Sequence, residues 1–261
     1  MIHLRTEAEI DAIAEGGAII ARLFEHLRTL IAPGVTTQRI DEEVERFVRD
    51  HDGAVPAFQG LYGFPGAACI SRNEEVVHGI PRDSVVLEAG DIVTVDVGVR
   101  LNGWCSDSAF TFPVGEIDPS SARLLAATRD ALDAAVDAAV VGNHVGDLGA
   151  AVMAAVEGQG IGIVRDLVGH GIGREVHEDP QVPNVGRPGQ GPALRAGMVL
   201  AIEPMLSLGE ERIRTLEDRW TVVTADGSRS AHFEHTVAIT GDGPRVLTGI
   251  EDIARDRVYG S

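Results

Sequence analysis

Asp96 and Asp107 sit in strand-like stretches in a sheet otherwise rich in Val and Ile. A carboxylate in such a setting is costly, because like charges repel and burial raises the pKa of at least one of them. Between the two lies Asn102-Gly103, a strong short-range hairpin signal. A two-residue turn there pairs Leu101 with Trp104, Gly98 with Asp107 and Asp96 with Ala109. Asp96 and Asp107 then share one face as diagonal neighbours, ~7–8 Å apart at the backbone and within joint reach of one ion. Val93, Val95 and Val97 take the other face. The bland alternative is a wet outer face carrying both aspartates. Strands disfavour Asp, however, and Ile92-Val93-Thr94-Val95 reads as buried. A cation resolves the conflict.

The anomaly recurs downstream. Val199-Leu200-Ala201-Ile202 is an apolar strand that ends in Glu203 before the chain-stopping Pro204. Phe233 to Ile239 reads as a strand with Glu234 inside it, and Gly169-His170-Gly171 presents an imidazole on an uncrowded, flexible backbone. The set is four carboxylates, one imidazole and no thiolate. Four negative charges exceed what one divalent ion balances, whereas two ions bridged by shared carboxylates match them. Oxygen-rich ligation with one imidazole suits Mn, Fe or Co at least as well as Zn. Two such ions can activate one water and polarise a carbonyl.

These residues need a scaffold. Thr6 and Glu9 form a capping box ahead of Ile10, Ile13, Gly17, Ile20, Phe24, Leu27 and Ile31 at helical spacing, and Pro33-Gly34 stops the helix. A second helix follows Thr36-Thr37, with Ile40, Val44, Phe47 and Val48 on its apolar face. A Gly-rich aromatic stretch, Phe58 to Pro65, leads to a strand over Ala67–Ser71. Asp118-Pro119 opens a third helix to about Val140, and Asp147 to Glu157 makes a fourth. Shifting the chain by 108 residues lays Gly34 on Gly142, Ile40 on Leu148, Val44 on Val152 and Val48 on Val156. The expected fold is therefore α+β: a helix–helix–sheet unit, duplicated around one central sheet. The expected organisation is one domain, residues 1–261, with halves of about 1–115 and 116–250.

Composition narrows the function classes. All 22 basic residues are Arg, and 40 acidic residues bring the net charge to −18. That balance opposes nucleic-acid and anionic-membrane binding. Cys69 and Cys105 are too few for a disulfide framework or thiolate metal site. No signal-peptide pattern and no bilayer-length apolar run appears, so a cytoplasmic protein is expected.

With those residues in hand, the chain resembles the type I methionine aminopeptidases, the short bacterial form of the creatinase-like "pita-bread" M24 family. The matching stretches run in order over nearly the whole chain. They are Asn73-Glu74-Glu75-Val76-Val77-His78-Gly79-Ile80-Pro81, the Asp96/Asp107 hairpin, Gly169-His170-Gly171-Ile172-Gly173, His177-Glu178-Asp179-Pro180, Ile202-Glu203-Pro204-Met205 and Glu234-His235-Thr236.

The resemblance implies a pita-bread fold and two divalent ions, drawn from Co, Mn, Fe, Zn or Ni. Asp107 and Glu234 would bridge both ions, Asp96 would ligate one, and His170 with Glu203 the other. Glu203 would also serve as general base and acid. His177 would donate to the substrate carbonyl and His78 would contact the nitrogen side of the scissile amide. Phe58, Leu61, Phe64, Cys69 and Trp220 would form the methionine pocket, with Cys69 a wall residue rather than a nucleophile. Val176 stands where relatives often carry an aromatic, which leaves the pocket's width open. The implied substrates are deformylated nascent chains at the ribosome whose second residue is small, handled by a monomer. The rivals are an aminopeptidase P or prolidase sharing the five ligands, and a catalytically inactive binding relative. The first normally carries an added N-terminal domain, and the second should have lost ligands.

Overall fold

The computed structural model describes residues 1–249; the last position expected of the second half, 250, and the stretch to 261 lie outside the described residues. Helix α1 (Glu7–Leu30) starts on the expected capping box: Glu9 N–H donates to Thr6 Oγ1, and Thr6 N–H to the Glu9 carboxylate. Its Ile10, Ile13, Ile20, Phe24 and Leu27 are buried. Burial of each such side chain contributes about 1.5–3 kcal/mol. Helix α2 (Thr37–Arg49) is capped by Thr36. Strands β1 (Ala54–Pro56), β2 (Cys69–Arg72), β3 (Glu75–Val77), β4 (Ile92–Leu101) and β5 (Trp104–Pro113) follow.

The β4–β5 hairpin has the expected register, with Leu101 opposite Trp104, Gly98 opposite Asp107 and Asp96 opposite Ala109. Asn102 and Gly103 both have positive φ, 50° and 82°, as a primed two-residue turn requires. β2 starts two residues later than expected, because Ala67 and Ala68 give their N–H groups to the buried Asp41 carboxylate instead of to a ladder.

Helix α3 (Pro119–Asp137) is capped by Asp118 with Pro at its first position. It stops three residues before Val140, where Asn143 Nδ2–H takes the Ala138 carbonyl. Helix α4 (Val145–Val156) begins two residues before Asp147, because that carboxylate reaches back to the His144 N–H and thus acts from the first turn. Short strands complete the chain: β6 (Gly162–Ile163), β7 (Val168–Gly171), β8 (Glu178–Pro183), β9 (Val199–Ile202) and β10 (Met205–Ser207). After them come β11 (Ile213–Thr215), β12 (Val222–Thr224), β13 (Ser230–His232), β14 (His235–Thr240) and β15 (Gly243–Val246).

The duplication is visible in hydrogen bonds. Gly34 N–H reaches Leu87 O as Gly142 N–H reaches Leu194 O, and the bridge Thr36–Val86 recurs as His144–Ala193. The first half pairs β1 and β2 along one side of β4 and β5 along the other; the second orders its strands β15-β14-β9-β7-β8, all antiparallel. This is the expected α+β architecture, with helices backing antiparallel sheet.

The two halves meet at β5 and β14, and side-chain hydroxyls form most of that seam. Thr236 Oγ1 accepts from Asp107 N–H and donates to Asp107 O. Thr111 Oγ1 does the same for His232, and Ser108 donates to Glu234 O. Along this seam one backbone bond, Glu234 N–H to Ala109 O, runs across; elsewhere β3 pairs with β12 between the halves. The seam matters because Asp107 and Glu234 stand on it.

Candidate metal centre and substrate cavity

Each acid arrives from a different backbone position. Asp96 is mid-β4 and Asp107 mid-β5. Glu203 directly follows β9, and Glu234 directly precedes β14 rather than lying inside a strand. The β9–β14 register, with Ile202 opposite His235, sets Glu203 opposite Glu234 at the strand ends. His170 lies within β7, not on a flexible loop. A Cβ on Gly169 would collide with Ala201 O, and one on Gly171 with Asp179 O. The flanking glycines therefore serve close packing of neighbouring backbone rather than mobility.

Asp107, His170 and Glu234 each place a ligand atom within 4.8 Å of the others'. Glu203 Oε1 stands 3.6 Å from His170 Nε2, and Asp107 Oδ2 stands 3.9 Å from it. Asp96 joins through Asp107, whose charge acts on it as its nearest acidic neighbour on the shared face of the hairpin. Asp96 and Glu203 thus flank the tight triad rather than belong to it.

The electrostatics are those of an acid cluster short of positive charge. Burial, then the neighbouring carboxylates, pushes Asp96, Glu203 and Glu234 well above the usual range, and burial raises Asp107 to about 7. Burial, then His177, holds His170 down to about 4. Asp96 Oδ1, Asp107 Oδ1 and Glu234 Oε1 are buried with no hydrogen-bond partner among the described residues. Buried acceptors without donors are what a divalent cation satisfies, and the donor set is oxygen-rich with one imidazole. Cys69 adds no thiolate: burial, then Asp96 and Asp107, drives its pKa far up.

The cluster floors a cavity of about 460 Å³. Every residue assigned from sequence lines it: Phe58, Leu61, Phe64, Cys69, His78, His177 and Trp220 as well as the four acids and His170. Phe64 meets Trp220 edge to face at 5.2 Å, and His78 meets Trp220 at 6.3 Å. His78 itself holds a left-handed φ of 59°, a conformation a non-glycine residue keeps only under constraint.

Other lining residues were assigned no role from sequence. Leu167 and Met205 come from the second half, and Val77 lies inside a quoted motif without an assigned role. Tyr62, 75% exposed, stacks on His177 at 5.8 Å with its hydroxyl 3.4 Å from Nδ1. Asp41 is missed too, since its neighbours in α2 look like any solvated helix face. Burial raises it to about 6, and its Oδ1 pins the backbone just before Cys69 at 2.7 and 2.9 Å.

His177 is held from behind. Glu178 Oε1 accepts the N–H groups of Arg174 and Glu175, at 2.8 and 3.2 Å, while Oε2 pairs with Arg5, both side chains being about nine-tenths buried. Removing one member of such a pair strands the other. Arg5→Ala is therefore expected to lower kcat about tenfold by loosening the His177 turn. Arg5→Lys should recover most of it, and steady-state kinetics on the three proteins decides.

The sequence pattern of metallopeptidase family M24 matches residues 11–241. The chain belongs to metallopeptidase family M24. Within that family it is 50% identical to a methionine aminopeptidase of Clostridium perfringens, over 96% of this chain and all of the relative. It is 48% identical to methionine aminopeptidase 1 of Mycobacterium tuberculosis, covering 95% of each. The crystal structure of methionine aminopeptidase from Thermotoga maritima superposes with a TM-score of 0.93 at 45% identity, covering 95% of this chain and 99% of that one. Prolidase from Pyrococcus furiosus, at 24% identity and TM-score 0.76, shares the fold alone, and this chain covers 66% of it. The chain is thus an M24 metallopeptidase of the methionine aminopeptidase branch, and its chemistry uses divalent metal. Among the described residues no helix is long and apolar enough to cross a membrane.

Proposed function

We propose that this chain removes the N-terminal methionine from newly made, deformylated proteins whose second residue is small. The observation that carries the reading is one cavity in which the acid–imidazole cluster faces an apolar wall of Phe58, Leu61, Phe64, Cys69 and Trp220. A thioether packs well against aromatic edges, and Phe64 and Trp220 offer such edges at right angles.

In this reading Asp96, Asp107, His170, Glu203 and Glu234 would together hold two divalent ions, with Asp107 and Glu234 the residues that would be shared. When bound, the ions acidify a water and polarise the scissile carbonyl. Glu203 takes a proton from the attacking water and returns it to the leaving amine. His177 donates to the carbonyl oxygen as negative charge grows there; burial keeps its pKa below the usual histidine value, so the ring is neutral and has one N–H to give. His78 contacts the nitrogen side of the scissile amide. The apolar wall fixes the methionine side chain so that the first peptide bond lies over the acids. The protein works in the cytoplasm as a monomer with a single catalytic domain, on chains emerging from the ribosome, and its charge of −18 keeps it off nucleic acid and anionic membrane.

Peptide kinetics test the assignment. Met-Ala-Ser is expected to be cleaved far faster than a peptide of the X-Pro type, and Met-Ala faster than Met-Leu by about tenfold or more, because a narrow site rejects large side chains. Preference for X-Pro would replace this reading with the prolidase one, and equal rates on Met-Ala and Met-Leu would remove the small-residue rule.

A further inference from the structure

His232, the last residue of β13, is 1% exposed, and neither ring nitrogen has a hydrogen-bond partner among the described residues. Its backbone is fully engaged with Thr111 on the β5–β14 seam, so the ring's position is set by the fold. Nε2 stands 3.6 Å from Glu203 Oε2 and 4.0 Å from Glu234 Oε2. Glu203 therefore lies between two imidazoles: Oε1 faces His170 and Oε2 faces His232. Of the two imidazoles, only His170 belongs to the tight triad of ligand atoms.

An imidazole carries at least one N–H in either charge state, and a carboxylate facing it can only accept. Closing the 3.6 Å gap by about half an ångström makes a hydrogen bond. Leaving a buried imidazole unbonded costs as much as losing that bond. Groups that orient metal-ligating carboxylates from behind set metal affinity as well as ligand geometry.

We propose that His232 is a positioning residue that donates from Nε2–H to Glu203 Oε2 and fixes the orientation of this carboxylate. The inference rests on the reading of Glu203 as a metal ligand and proton carrier. It adds a residue to which the reading gives no role, reached through neither the methionine pocket nor His177.

The test compares His232→Leu, which fills the space without a donor, with His232→Gln, whose side-chain amide can donate from a similar distance. The full chain, stripped of metal, is titrated with Mn(II) and free ion is followed by electron paramagnetic resonance. His232→Leu is expected to weaken Mn(II) binding about tenfold to a hundredfold, and His232→Gln to return within about threefold of the parent. If His232→Leu does not fold, His232→Ala replaces it. Unchanged affinity in the Leu variant overturns the proposal. So does loss in both variants, which would mean that the imidazole itself binds the ion. His170→Ala separates the two levels: if it leaves Mn(II) binding intact, the ligand assignment itself has failed.

Discussion

Asp107→Asn is expected to lower kcat/KM by about 10³-fold or more, and yet to leave the metal-free fold at least as stable as the parent near pH 8. The activity loss follows from the geometry. Asp107 belongs to the tightest ligand group and stands where the two halves join. A metal ion contributes several kcal/mol to transition-state charge stabilisation, and each 1.36 kcal/mol is tenfold in rate. The stability gain follows from the same burial. Asp107 titrates near 7 in the folded chain against an ordinary 3.8, so the folded state holds its proton more tightly than the unfolded state does. That contribution is fully present below the ordinary value and is lost as pH rises through about 7. A shift of this size is on the order of 4 kcal/mol. Metal-free parent protein should therefore lose stability between about pH 4 and pH 7, and Asp107→Asn should lose less. Thermal melts with chelator at pH 5 and pH 8 measure the difference. If the variant's deficit were equal at both values, the buried charge would not be the cause.

Glu203→Gln carries the second large effect. The amide keeps the shape of the side chain but cannot carry a proton between water and amine. General acid–base groups contribute about 10²–10⁴-fold, and kcat should fall within that range. KM should hold within about threefold, because the methionine wall is formed by other residues. Measuring kcat over pH 6–9 for both proteins with metal in excess adds a second reading: the limb due to Glu203 disappears in the variant. Retention of parental kcat would move the proton-carrying role to another group.

The hairpin was the most legible part of the protein. Asn102-Gly103 tolerates the positive φ that a primed two-residue turn requires, so turn type, pairing register and the shared face of Asp96 and Asp107 all follow from local sequence. Helix starts were legible for a similar reason, because a capping side chain acts within three residues. Helix and strand ends were less so. The end of α3 and the delayed start of β2 depend on Asn143 and Asp41, and Asp41 acts across more than twenty residues. His170 shows the limit from another side. Its glycines suggested flexibility, but they reflect backbone from β8 and β9 pressing on β7, which no local pattern encodes.

The sequence by itself determined which residues could do chemistry, because carboxylates in apolar strands are energetically anomalous wherever the strands pack. It also determined the hairpin that aligns the first two acids and the repeated helix pair that backs each half. Only the tertiary structure decided how the second pair of acids meets the first. Glu203 and Glu234 reach Asp107 through a seam in which Thr236, Ser108 and Thr111 hydroxyls replace most of the backbone ladder. Such contacts join residues more than a hundred positions apart, and no local periodicity records them. The same long-range closure buries His232 against Glu203 and sets Arg5 behind His177.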